Sequence, residues 1–182
     1  MRGPSFSAAL LAVLTGAFAA LDAGVARGEA DRDVASVFLV AKSENRNQVH
    51  YGVRLDAACA PVGAAPVFAY WRMLEQGPRA TEPLLARELG AYGLAEQRVV
   101  ERGAEGGRVT LRLRALPARA IAIETRSRGG ACEATATTVI GGEPASLWSV
   151  YAQLRWPFGV DHLTLSGRAL RDGRVVEERV AP

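Results

Sequence analysis

The sequence is poor in the residues that most often carry chemistry. Among 182 residues it has two histidines and two cysteines, and Lys42 is its only lysine. His50 and His162 are too few for a three-histidine metal site. Asp161-His162 would serve as a ligand pair only if the strand bent there, because neighbouring strand residues point to opposite faces. No CxxC pair accompanies Cys59 and Cys132, which argues against zinc. No GxSxG elbow, no phosphate loop ending in GK[ST] and no HExxH is present. The sequence therefore assigns no catalytic residues, no metal and no cofactor.

Charge is equally sparse as a signal. The formal net charge is +3, which permits an anionic surface as partner without demanding one. Arg108, Arg112 and Arg114 form a basic stripe, but no aromatic stacking platform lies within it. Nucleic acid is therefore not expected as a partner. The near-exclusive use of arginine fits the Ala- and Gly-rich composition of a GC-rich genome.

What the N-terminus does offer is an address. Arg2 precedes an apolar stretch over residues 6–21, and small residues suited to cleavage follow at Ala17/Ala19, Gly24/Ala26 and Gly28/Ala30. At about 16 residues the stretch is short for a membrane span, and Asp22 closes it. Residues 1–30 are expected to be a signal peptide, with an uncleaved anchor as the alternative. Residues 31–182 are then a single β-rich domain without a transmembrane span, periplasmic or secreted in a bacterium. Trimming removes two basic and two acidic residues, so the net charge is unchanged. In an oxidising compartment the even pair Cys59 and Cys132 reads as a disulfide, worth roughly 4 kcal/mol in the chain-entropy model. Two free thiols, or half of a metal site, are the other readings.

Hydrophobic patterning predicts strands almost throughout. Residues 36–42 read as a strand buried on both faces, residues 43–47 as a polar loop and residues 48–55 as its hairpin partner. That partner carries Val49, Tyr51, Val53 and Leu55 on one face and His50, Gly52 and Arg54 on the other. Residues 67–73 form a third strand. Thr81, Pro83 and the spacing of Leu85, Leu89 and Tyr92 predict one short helix near residues 82–91. Further strands put Val109, Leu111, Leu113, Ile121 and Ile123 inward. Period two over residues 147–156 puts Trp148, Val150, Ala152, Leu154 and Trp156 on one inward face. Asp172-Gly173 predicts a hairpin turn. The expected fold is all-β, a mainly antiparallel meander closed as a barrel or packed as a sandwich.

The densest group of polar and aromatic residues is the candidate binding region: Lys42, Ser43, Asn45, Asn47, His50, Tyr70, Trp71 and Arg72. Lys42 is either a desolvated, anion-binding amine or a strand-end lysine reaching water. Arg72 beside Tyr70-Trp71 suits an anionic head group, or a cross-strand carboxylate. His50 would need a partner for proton transfer, and Glu44 is the nearest acid. Trp148 and Trp156 either pack the core or wall an apolar cavity.

The series K-S-x-N-x-N-x-V-x-Y, here Lys42, Ser43, Asn45, Asn47, Val49 and Tyr51, continues with Pro66-Val67, Tyr70-Trp71 and Ala91-Tyr92-Gly93. It resembles the family catalogued as domain of unknown function 4833, over roughly residues 36–180. The resemblance implies kinship and supplies no activity, and the cysteine pair is not part of it. The leading expectation is a non-enzymatic exported domain that binds a small apolar or amphipathic ligand, with the polar loop as its mouth. A cell-envelope interaction or structural module, docking through Tyr70-Trp71 or the arginine stripe, is the alternative. An enzyme using Lys42, His50 and Glu44 is the third, and requires those side chains to converge.

Overall fold

The computed structural model describes residues 34–155 and 159–181. The expected signal segment and Trp156 lie outside the described residues. Eleven strands and one short helix follow in order. The first wing comprises β1 (Val34–Lys42), β2 (Asn45–Val53), β3 (Val67–Arg72) and β4 (Thr81–Pro83). After α1 (Leu89–Tyr92) come β5 (Leu94–Gly103), β6 (Gly106–Leu113), β7 (Leu116–Arg128) and β8 (Ala131–Ile140). The chain ends with β9 (Glu143–Leu154), β10 (Val160–Ala169) and β11 (Val175–Val180). The fold is all-β, and its single mixed sheet is not closed into a barrel.

The organising strand is β9. Along one edge it pairs β10 over nearly its whole length. Along the other it changes partner: Glu143 to Ser146 pair antiparallel with β8, and Ser149 to Ala152 pair parallel with β1. The sheet therefore forks, with β4-β3-β2-β1 in one wing and β5-β6-β7-β8 in the other. The β1–β9 pairing departs from the antiparallel meander expected from sequence.

The fork corrects the expected placement of Trp148. The register with β10 slips between Ser166 and Gly167, so Leu147 and Ser149 oppose consecutive residues of β10 and Trp148 is the extra residue of a bulge. A one-residue insertion inverts the side-chain alternation. Leu147 is buried before the bulge and Val150 and Ala152 after it, while Trp148 is 37% exposed, with the Arg168 guanidinium 5.5 Å from its ring. Gly167 makes the approach possible: a Cβ there would lie 2.5 Å from the Ser146 carbonyl oxygen.

The wings enclose one hydrophobic core. Alternation in β2, β6 and β7 buries Val49, Tyr51 and Val53, then Val109, Leu111 and Leu113, then Ile121 and Ile123, as the patterning predicts. Phe38 and Tyr51 stack with centroids 4.5 Å apart at the centre. Side chains, not a backbone ladder, join the outer edges of the wings. Gln97 of β5 bonds the backbone of Val67 in β3, and Arg102 donates to the carbonyls of Pro61 and Gly63.

The Cys59–Cys132 disulfide links the β2–β3 loop to the start of β8, with Cα atoms 5.3 Å apart. Cys59 sits at φ 61°, a conformation costing a side-chain-bearing residue about 1 kcal/mol. Asp56 holds it there: its Oδ1 accepts from the Ala58 and Ala60 amides, and its carbonyl from the Cys59 amide.

The helix is shorter and later than the spacing predicts. Thr81–Pro83 extends the sheet along β3 instead of starting a helical turn, and α1 covers four residues. Pro83 is tolerated because it ends an edge strand. Among the described residues, no helix is long and apolar enough to cross a membrane.

Candidate functional site

Alternation along β2 divides the expected binding residues between two faces. Asn45, Asn47, Val49 and Tyr51 point inward, and Gln48 and His50 point outward. Cross-strand pairing carries the division into β3, where Trp71 opposes Val49, and Tyr70 and Arg72 oppose His50 and Gln48. The single mouth expected from sequence is therefore two clusters on opposite sides of one sheet.

On the inner side, Lys42 Nζ lies 5.2 Å from the buried Trp71 ring and 3.3 Å from Glu44. The Trp71 indole N–H donates to Glu88 Oε2 at 2.8 Å, and the same oxygen accepts from the Leu85 amide. Partial desolvation raises the Glu88 pKa. The Leu85 and Trp71 hydrogen bonds, with Arg87 and Lys42 nearby, outweigh it and hold the carboxyl below its ordinary value. Lys42, Asn45, Asn47, Trp71 and Glu88 line a polar recess of about 220 Å³.

Several of these residues have defined architectural work. Ser43 Oγ accepts from the Leu154 amide, and the Ser43 amide donates to the Ala152 carbonyl, which fastens the β1–β2 turn to β9. Asn45 Oδ1 accepts from the Asn47 amide, and Asn47 Oδ1 from the Glu75 amide.

On the outer side, Ser36 Oγ lies 2.7 Å from His50 Nδ1, and Gln48 Oε1 lies 3.1 Å from His50 Nε2. With Gln48 accepting from Nε2–H, the Nδ1 lone pair receives the Ser36 hydroxyl proton. Burial, then the Arg72 charge, lowers the His50 pKa, so the ring is neutral at pH 7. Nucleophile and base are thus within reach of each other, but they lie on the outer sheet surface, and neither lines the polar recess. Tyr70 stacks on His50 at 5.8 Å. Arg72 Nη2 donates to the Pro78 carbonyl at 2.6 Å, while its buried Nε meets no acceptor among the described residues. Lys42 and Glu44 meet, but His50 does not join them, so the three-residue enzyme arrangement does not form.

Beside the polar recess, between the wings, lies an apolar chamber of about 410 Å³. Val40, Tyr51, Leu113, Leu116, Val150 and Leu163 form its interior, and Glu44, Tyr92 and Arg155 stand among the residues that edge it. The chamber exists because Ala91, Ala115, Ala152 and Gly159 put small groups where the two wings part. The Tyr51 hydroxyl donates to the Tyr92 carbonyl at 2.6 Å, tying α1 across one side. Trp71 meets Tyr92 edge-on at 5.2 Å and so stands between chamber and recess. Burial, with the nearby Tyr92, pushes the Tyr51 phenol well above its ordinary pKa, so it is a permanent donor.

Sequence reasoning did not single out Glu88 or Arg155. One lies in a connecting segment, the other just beyond a strand end, and neither has a local pattern. The docking surfaces expected for an interaction module are largely occupied. Trp71 is buried, and Arg108 and Arg112 are paired with Glu124 and Glu96. Among the described residues no group of three or more His, Cys, Asp or Glu could hold a metal ion.

Together these features define an all-β protein with a forked, open sheet and an apolar chamber between its wings. The chain belongs to the family described as Domain of unknown function (DUF4833), whose model matches residues 38–179. No curated protein and no solved structure matches it.

Proposed function

We propose that the protein is a non-enzymatic binding protein that holds a small apolar or amphipathic molecule in the chamber between the two wings. The chamber carries this reading. Its volume of about 410 Å³ falls within the range of small-molecule sites, and so does its character, an apolar interior with few polar groups at the edge. Glu44, Tyr92 and Arg155 at its edge supply polar contacts for the less apolar end of such a ligand. Export to the periplasm or beyond belongs to the same reading. The Cys59–Cys132 bridge supports it, because disulfides persist in oxidising compartments.

Titration with the fluorophore N-phenyl-1-naphthylamine tests the chamber. Wild-type protein should bind one equivalent with enhanced, blue-shifted emission. Ala152→Leu and Ala115→Phe, which fill the chamber from two sides, should each weaken binding about tenfold or more. Thermal melts confirm that each variant is folded. Unchanged fluorophore affinity in both folded variants would refute the proposal. Native mass spectrometry of protein purified from its own host's envelope then looks for the natural ligand as a co-purifying mass.

A further inference from the structure

We infer that the chamber selects a single-chain organic acid, with the chain in the apolar interior and the carboxylate on Arg155. The inference rests on the chamber-binding reading above and adds the sign of the ligand's charge. Among the described residues two ionised side chains line the chamber, Glu44 and Arg155. Glu44 is neutralised by Lys42 at 3.3 Å. Arg155 has no carboxylate within ion-pair distance among the described residues. Asp161 feels its charge, but that carboxylate is already engaged by Arg179 at 3.2 Å and by His162 at 2.7 Å. The uncompensated charge at the chamber is therefore positive.

Arg155 is also positioned for the task. Its amide donates to the Gly159 carbonyl at 3.0 Å, which fixes its backbone just beyond β9. Its Nη2 and Nε lie 3.7 and 3.8 Å from where a Cβ on Gly159 would stand. That is ordinary contact distance, so the guanidinium packs over Gly159 beside the chamber. A planar guanidinium beside an apolar space suits a carboxylate, which it can bind through two parallel hydrogen bonds. At interior packing density, 410 Å³ accommodates a chain of roughly a dozen carbons.

Displacement of N-phenyl-1-naphthylamine by three ten-carbon amphiphiles below their micellar concentrations tests the sign of charge. Decanoate should displace the probe about tenfold more tightly than decanol, and decyltrimethylammonium should be weakest. Arg155→Gln should lose the preference for decanoate over decanol, each measured against that variant's own probe affinity, and Arg155→Lys should retain part of it. Equal displacement by decanoate and decanol, with the probe still bound, would overturn the acid preference and leave the chamber reading standing. Preference for decyltrimethylammonium would overturn it in favour of Glu44. Failure of the probe to bind at all would overturn the chamber reading itself.

Discussion

The Gln97 side chain makes a two-bond bridge to the backbone of Val67: its Oε1 accepts from the Val67 amide at 2.9 Å and its Nε2 donates to the Val67 carbonyl at 3.2 Å. One amide side chain thus does for β3 what a neighbouring strand would do. It is needed because β4 covers only Tyr70 to Arg72 of that edge. Val67 is buried, so its amide has no water to turn to. Gln97→Ala should lower stability by about 1–3 kcal/mol, measured by urea unfolding. Amide exchange at Val67 should rise more than at Val49, in the middle of the same wing. Uniform exchange would count against the bridge as the closing device.

The disulfide ties the β2–β3 loop to β8 at the end of the sheet away from the chamber. Strand β7 begins with Leu116 at the chamber, and its Ser127 lies opposite Cys132, roughly 35 Å along the strand. Replacing both cysteines by alanine should cost roughly 4 kcal/mol, the chain-entropy value for this loop length. Chamber binding of N-phenyl-1-naphthylamine should survive below the lowered melting temperature. Loss of binding in a still-folded variant would mean that the two ends are coupled.

Gly167 is the glycine on which the fork depends. A methyl group there would meet the Ser146 carbonyl oxygen at 2.5 Å and Ile140 Cδ1 at 2.7 Å. Both lie in packed strands, so neither can yield without moving backbone or core. Gly167→Ala should destabilise by about 1–3 kcal/mol, and Gly173→Asn, at an open turn position of φ 72°, by far less. Comparable melting temperatures for the two variants would remove the fork's dependence on Gly167.

The same fork marks the limit of what could be read from residues alone. Alternation in β2, β6 and β7 was legible because a side-chain period of two is a property of the strand itself. Trp148 was misplaced because its bulge depends on Gly167, nineteen positions later, and on a partner change that no local window contains. The division of Asn47 from His50 was already implicit in the odd–even pattern of β2. The meeting of His50 with Ser36 was not, since it follows from a slip of β1 between Val34 and Phe38. The chamber was least visible of all. Ala91, Ala115, Ala152 and Gly159 are unremarkable in sequence and make a space only where the wings part.

A last test concerns how the final strand is held. Arg119 donates from both terminal nitrogens to Glu178, each at 2.8 Å, and Glu178 Oε2 also accepts from the Gly141 amide at 2.9 Å. One carboxylate therefore joins β7, the β8–β9 turn and β11. The Arg119 hydrogen bond is the main cause of the lowered Glu178 pKa; slight burial opposes it, and the Gly141 amide and the Arg119 charge add to it. A carboxyl whose folded pKa lies below its unfolded value of 4.5 contributes stability above that pH and loses it as pH falls through the folded value. Glu178→Gln should therefore cost about 1–2 kcal/mol at pH 7, given a paired but partly solvated bridge. The gap between variant and wild type should narrow steadily as pH falls below 4.5. Urea unfolding at a series of pH values measures it. A gap that stays constant into the acid range would show that the lost stability comes from packing and not from the ionised pair.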